Sequence, residues 1–111
     1  YLLFHGDSVA LRRRPERGLL AGLWEYPNEL ADGSDWPERW GLSAPLARAG
    51  TGKHIFTHIE WHMTALAGEL DGPDLPQGWV WAGREALRDT YAVPNAFRSF
   101  EKTVLDRLGH F

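Results

Sequence analysis

Apolar and polar residues alternate along the middle of the chain, from Lys53 to Ala65, in the longest regular pattern of the sequence. A period of two is typical of a β-strand, whose successive side chains point to opposite faces of a sheet. We therefore predict strand-like runs over 52–55 and 59–70, with a turn or bulge near Thr57. One side of the alternation consists of Ile55, Thr57, Ile59, Trp61, Met63 and Ala65, and the other of His54, Phe56, His58, Glu60, His62 and Thr64.

Shorter apolar runs on either side predict further strands. Residues 1–4 and 9–13 are separated by the turn-forming residues 5–8 (His-Gly-Asp-Ser), which predicts an opening β-hairpin. Residues 19–27 form a dense apolar segment punctuated by glycine and proline, which indicates a buried loop or a short strand. Residues 79–82 are predicted as another short strand.

Helical patterns close the chain. A short helix is predicted over 84–90, and Pro94 suits the first turn of a final helix, where its missing N–H costs nothing. The apolar face of that helix consists of Phe97, Phe100, Val104 and Leu108. Gly109 supplies a stop, and a further short helix is predicted over 36–42. Strands in the middle followed by helices, without internal repeats, indicate a single domain of the α+β class.

The composition narrows the class of protein. The 111 residues are 43% hydrophobic and 13% aromatic, which is enough apolar material for one compact domain. Without cysteine we expect no disulfide, thiolate zinc site or iron–sulfur cluster in the chain, and a reducing cytoplasm is compatible with this. No apolar run approaches the roughly 20 residues that span a bilayer, so we expect a soluble domain without a membrane partner. Because the chain starts at Tyr1 without an initiator Met, we expect a piece of a longer protein.

The charge balance argues against a stand-alone nucleic-acid binder. The formal net charge is -3 and the pI is about 5.9, whereas such binders are usually basic. Four arginines nevertheless cluster early in the chain, at Arg12, Arg13, Arg14 and Arg17. They predict either a local basic face or a solvated strand end and turn, and the sequence leaves both interpretations open.

Three histidines and a carboxylate suggest a metal site, since His and Glu are common zinc ligands. These residues are His54, His58, Glu60 and His62. On one continuous strand His58 and His62 lie about 13 Å apart, too far to share an ion. We therefore expect no metal, and place the imidazoles on a solvent-facing or partner-facing side of the sheet.

Tryptophan is abundant, and its six residues are candidates either for the core or for stacking on bases. Trp24 and Trp61 lie in apolar segments, so we assign both to packing. The roles of Trp36 and Trp40 stay open.

Phe56, Thr57 and His58 combine a ring, a hydroxyl and an imidazole, which together can stack on a base, bond its edge and reach a phosphate. The triplet occurs in order with residues 19–27 (Leu-Leu-Ala-Gly-Leu-Trp-Glu-Tyr-Pro) and 91–97 (Tyr-Ala-Val-Pro-Asn-Ala-Phe). In these three segments the chain resembles the C-terminal domain of MutY-type adenine DNA glycosylases. The resemblance extends over about residues 11–108.

The resemblance implies a Nudix-like (MutT-like) mixed β-sheet flanked by helices. It implies recognition of 8-oxoguanine opposite adenine in duplex DNA, without catalysis by this domain, in base-excision repair. The family's lesion-reading loop commonly reads Phe-Ser-His, which assigns lesion binding to Phe56, Thr57 and His58. We add contacts to the DNA backbone as a hypothesis for Lys53, His54 and Arg98.

The resemblance also implies a separate partner domain. In that family an N-terminal helical glycosylase domain carries the catalytic residues and a [4Fe–4S] cluster, so we expect no cofactor in this chain. The expected partners are DNA with an 8-oxoguanine:A mispair and that N-terminal domain. The expected location is the bacterial cytoplasm, in association with the nucleoid.

Two other functions remain open. A Nudix pyrophosphohydrolase needs the carboxylate motif Arg-Glu-x-x-Glu-Glu-x-Gly to hold magnesium. With Gly41 on the motif's glycine, only Asp35 and Glu38 are acidic, Arg39 replaces one expected ligand, and Pro37 would disturb the helix. The second alternative is a protein-interaction module that uses an exposed apolar patch on the same fold.

Overall fold

The computed structural model describes residues 1–29 and 46–108. The described strands are β1 (Leu2–His5), β2 (Ser8–Arg13), β3 (Trp24–Glu25), β4 (Ala47–Ile55), β5 (Glu60–Glu69) and β6 (Trp79–Ala82). The described helices are α1 (Arg84–Asp89), a 3₁₀ helix (Asn95–Phe100) and α2 (Glu101–Arg107). The opening hairpin, the strand over 79–82 and the helix after it are confirmed. The predicted helix over 36–42, with Trp36 and Trp40, lies outside the described residues.

The described strands form one mixed sheet in the order β3-β2-β1-β5-β4, with β6 also paired to β2. The β1–β5 pair is parallel, with Leu2 opposite Ala67. The other described pairs, including β1–β2 and β4–β5, are antiparallel. This mixed sheet with few helices confirms the predicted fold class.

The core lies between the sheet and the last two helical segments. The predicted apolar face of the final helix is buried, since Phe97, Phe100, Val104 and Leu108 are all at most 5% exposed. Its first half is a 3₁₀ helix, a form common at helix N-termini, and Pro94 precedes it in an extended conformation instead of occupying its first turn. Gly109 lies outside the described residues.

The β4–β5 hairpin corrects the predicted assignment of its side chains to faces. His54 pairs with Trp61 and Ile55 pairs with Glu60, so each pair shares a face. The prediction placed Ile55 on the side of Trp61 and His54 on the opposite side, which is wrong. The chain reverses at residues 57 and 58, and this reversal shifts the phase of the alternation between the two strands.

Within residues 1–29 and 46–108, no helix is long and apolar enough to cross a membrane.

Candidate nucleic-acid interface

The tip of the β4–β5 hairpin presents the predicted triplet. The Phe56 N–H donates a hydrogen bond of 2.7 Å to the Ile59 carbonyl, and this bond closes a turn around Thr57 and His58, both exposed. We call residues 56–59 the tip loop. Among the described non-glycine residues only Leu20 has a positive φ, so this turn is not of the mirror-image type that two-residue hairpins favour.

An aromatic cluster supports the tip loop from the core side. The Phe56 ring packs edge-to-face on Trp61, with 4.9 Å between centroids, and on His54, with 4.7 Å between centroids. Trp61 also contacts Phe97 of the 3₁₀ helix, at 5.9 Å. We call His54, Phe56, Trp61 and Phe97 the aromatic cluster. Such edge-to-face pairs restrict the ring orientations, so Phe56 anchors one end of the loop to the core.

Trp24 and Trp61 both pack against the main core, as the sequence predicted. Trp79 and Trp81 pack against a smaller buried cluster on the opposite side of the sheet, next to Leu3 and Leu70.

The opposite face of the hairpin is exposed and carries charges. Glu60 Oε1 lies 3.4 Å from Lys53 Nζ and 3.0 Å from His62 Nε2. Ile55, on the same face, is 62% exposed. Lys53 and His54 therefore face opposite sides of β4: Lys53 lies on the exposed, charged face beside Glu60, whereas His54 belongs to the aromatic cluster.

Arg98, the third proposed backbone contact, is exposed on the 3₁₀ helix. It lines a groove between α1 and α2 together with Arg84 and Glu101. Its neighbours in sequence, Phe97 and Ser99, approach the hairpin directly, but Arg98 itself lies with the groove residues.

The early arginine cluster is partly directed inward. Glu25 is only 1% exposed, and its carboxylate accepts hydrogen bonds from Arg12 Nε at 2.8 Å and Arg14 Nη1 at 2.7 Å. Asn28 Nδ2 donates a third bond, at 2.8 Å. Burying a carboxylate is costly unless it is paired with cations and hydrogen-bonded, as it is here. Arg12 and Arg14 thus neutralise an interior charge, so the cluster as a whole is not a basic surface.

The histidines of the hairpin lie in three different surroundings: His54 in the aromatic cluster, His58 at the tip and His62 on the charged face. Over the part of the chain that the structure describes, no group of three or more His, Cys, Asp or Glu residues is placed to hold a metal ion.

Sequence reasoning missed two contributors to the site. Arg14 lies over the Trp61 ring, with its Cζ 5.2 Å from the ring centroid, and Trp61 touches Phe56. The alternating pattern marked Trp61 as apolar but gave no sign of its neighbours across the sheet. Ile59 was missed as a surface residue: it is 48% exposed next to His58.

The fold and this hairpin define the class of protein. The sequence profile of the NUDIX domain matches residues 1–102, and the chain belongs to that family.

Within that family, the chain is similar to the adenine DNA glycosylases. The enzyme of Rattus norvegicus is 28% identical over 116 residues, covering 87% of this chain and 22% of that protein. The enzyme of Homo sapiens is 31% identical over 109 residues, covering 84% of this chain and 20% of that protein. The chain thus spans about a fifth of the length of these relatives.

A solved structure has the same fold. It is the crystal structure of the complex between the C-terminal domain of mouse MUTYH and human PCNA. The TM-score is 0.70 and the identity 25%, over 96% of this chain and 84% of that one. The chain therefore has the fold of that C-terminal domain of mouse MUTYH.

Proposed function

We propose that this domain recognises 8-oxoguanine opposite adenine in duplex DNA, as the non-catalytic C-terminal part of an adenine DNA glycosylase in base-excision repair. The observation that carries the proposal is the tip loop, which exposes Thr57 and His58 while Phe56 anchors it to the aromatic cluster. The similarity to adenine DNA glycosylases supports it.

A side-chain hydroxyl can distinguish 8-oxoguanine from guanine by hydrogen bonding. Oxidation at C8 adds an oxygen and converts N7 of guanine from an acceptor to an N–H donor. The Thr57 hydroxyl accepts from that N–H, whereas it would have to donate to N7 of normal guanine. A hydroxyl selects between these edges only when its surroundings fix its rotation. A fixed loop is therefore part of the proposed recognition.

The neighbouring residues have separate proposed roles. Phe56 shapes the loop and His58 reaches the DNA backbone. Lys53 provides a phosphate contact from the exposed face of the hairpin, and Arg98 provides one from the 3₁₀ helix. His54 packs on Phe56, so its main role is to support the loop rather than to contact phosphate.

The proposal includes a second domain outside this chain. The relatives are about five times as long as the matched region, which leaves room for an N-terminal helical glycosylase domain with the catalytic residues and a [4Fe–4S] cluster. That domain would supply most phosphate contacts, which accounts for a net charge of -3 in a DNA-binding chain. The parent protein would act in the bacterial cytoplasm, on the nucleoid.

The pyrophosphohydrolase alternative rests on Asp35 and Glu38, which lie outside the described residues. The curated relatives named above are glycosylases, which favours recognition over hydrolysis. Release of phosphate or pyrophosphate from oxidised nucleotides, abolished by Glu38→Gln, would establish the alternative.

A titration tests the proposed function. The isotopically labelled chain is titrated with matched duplexes that contain 8-oxoguanine:A or G:A, at one salt concentration, and the amides of residues 55–59 are followed by NMR. We expect shifts centred on the tip loop that saturate at lower concentrations of the lesion duplex. Equal responses to the two duplexes would contradict recognition by this domain on its own.

A further inference from the structure

A continuous series of side-chain contacts joins the tip loop to Glu25, the most buried charged residue among those that the structure describes. We propose that Arg14 is a positioning residue for lesion recognition, which holds the tip loop in place through Trp61 and Phe56. This inference rests on the proposed function, since the loop is the part that would read the lesion.

The first step of the argument is that Arg14 itself is fixed. Its Nη1 donates to Glu25 at 2.7 Å and its Nε donates to the Leu19 carbonyl at 2.8 Å. The Arg14 side chain is 18% exposed and that of Glu25 only 1%. A guanidinium that donates to two acceptors, one of them the buried Glu25 carboxylate, has little freedom to rotate, so its planar surface is held in one orientation.

The second step is the contact between that surface and an aromatic ring. The guanidinium carbon lies 5.2 Å from the centroid of Trp61, within the range of a cation–π interaction. Trp61 is the side chain on which Phe56 packs edge-to-face, at 4.9 Å. The orientation of Arg14 therefore restricts Trp61, and Trp61 restricts the residue that begins the tip loop.

The third step is that the tip loop has few local determinants of its own. Thr57 and His58 include no Gly, Asn or Asp, the residues that specify tight hairpin turns, and neither has a positive φ. One backbone hydrogen bond, from Phe56 to Ile59, closes the turn. The loop conformation must therefore depend on packing at Phe56.

Arg12 provides a matched control. It bonds the same carboxylate, with its Nε 2.8 Å from Glu25 Oε2, and it also donates to a backbone carbonyl, that of Asn28, at 2.7 Å. Its side chain is 25% exposed, close to the value for Arg14. The guanidinium over Trp61, however, is that of Arg14. Loss of Arg12 therefore removes a hydrogen bond to the buried Glu25 carboxylate but leaves the contact between Arg14 and the Trp61 ring in place.

The experiment compares Arg14→Gln with Arg12→Gln in three measurements: the urea midpoint, the loop amide shifts of the free chain, and the ratio of dissociation constants for G:A and 8-oxoguanine:A duplexes. We expect both variants to lower the midpoint. Arg14→Gln alone should shift the amides of residues 56–59 and reduce the ratio about twofold to fivefold, as expected from loss of a cation–π contact. Arg14→Lys, which retains a cation, should recover part of the ratio.

The outcomes separate this inference from the proposed function. Equal effects of Arg14→Gln and Arg12→Gln on loop amides and on the ratio would overturn the positioning role and leave only a shared stabilising one. If the unchanged chain shows no lesion preference, the proposed function fails, and the amide comparison alone then decides whether Arg14 positions the loop. If Arg14→Gln does not fold, the comparison of Arg14→Lys with Arg12→Lys replaces it, with the same criteria.

Discussion

Gly52 of β4 lies directly against Ser99 of the 3₁₀ helix, and no side chain fits between them. A Cβ added to Gly52 would lie 2.7 Å from the Ser99 Cβ and 3.2 Å from the Phe100 ring. Phe97, two residues before Ser99, packs on Trp61. The glycine thus sets how closely the 3₁₀ helix approaches the hairpin that carries the tip loop.

Gly52→Ala should therefore destabilise the domain by about 1–3 kcal/mol, because the 3₁₀ helix must move or the backbone must shift. Urea denaturation measures the change. Gly72→Ala is the control, since a Cβ there meets nothing within 4 Å. Ser99→Gly in the Gly52→Ala background should recover part of the loss. A Gly52→Ala variant as stable as Gly72→Ala would contradict this close approach.

Thr57→Val should reduce the preference for 8-oxoguanine, because it removes the hydroxyl and keeps the branched shape. The expected loss is about fivefold to 150-fold, because a polar group of the lesion left without a hydrogen-bond partner costs about 1–3 kcal/mol. Thr57→Ser should retain the preference. Competition binding with the two duplexes measures both. If the Thr57→Val and Thr57→Ser variants have the same preference for 8-oxoguanine, the Thr57 side chain does not recognise the lesion.

Lys53→Gln should weaken binding to lesion and normal duplexes by the same factor, because a phosphate contact carries no base information. The slope of log K against log salt should fall by about one unit. Lys102→Gln, on α2, is the matched charge control, since Lys102 is 91% exposed and, like Lys53, lies within 4 Å of a carboxylate, with its Nζ 3.9 Å from Asp106 Oδ2. A change in the preference ratio with Lys53→Gln would instead assign it a role in lesion reading.

Burial, and then the nearby Glu101 carboxylate, raise the pKa of Tyr26 above its ordinary value of 10. The folded state therefore favours the neutral phenol, and the stability it contributes is complete below pH 10 and is lost as pH rises toward the folded-state pKa. Tyr26→Phe should reduce this alkaline loss by up to about 1.4 kcal/mol per pH unit. Urea unfolding at neutral and alkaline pH measures it. An unchanged alkaline dependence would show that Tyr26 is not responsible.

Local patterns in the sequence predicted most of the described elements, although β4 begins at Ala47 and not at residue 52, where the predicted run starts. Residues 79–82 form the predicted strand, and the apolar positions at 97, 100, 104 and 108 are all buried. Both patterns depend on residues that are close in sequence, so they can be recognised without knowledge of the fold. The tip loop was likewise visible as a local triplet between two strands.

The support of that loop was not predictable because its contacts are not local. Arg14 and Trp61 are distant in sequence and meet only when β2 and β5 enter the same sheet. The burial of Glu25 is similar, since its two arginine partners come from the other side of a turn. A run of arginines beside a strand looks the same in sequence whether it faces solvent or an interior carboxylate.

The parallel pairing of β1 with β5 has a consequence for the order in which the domain folds. It joins Leu2 to Ala67, across most of the chain, whereas the β1–β2 and β4–β5 hairpins join near neighbours. Short loops close at lower entropic cost than long ones, and contacts between distant residues slow folding. We therefore expect the two hairpins to form first as separate units. Their alignment along β1 and β5 is then the late, rate-limiting event, and only after it can the Arg14 guanidinium reach the Trp61 ring.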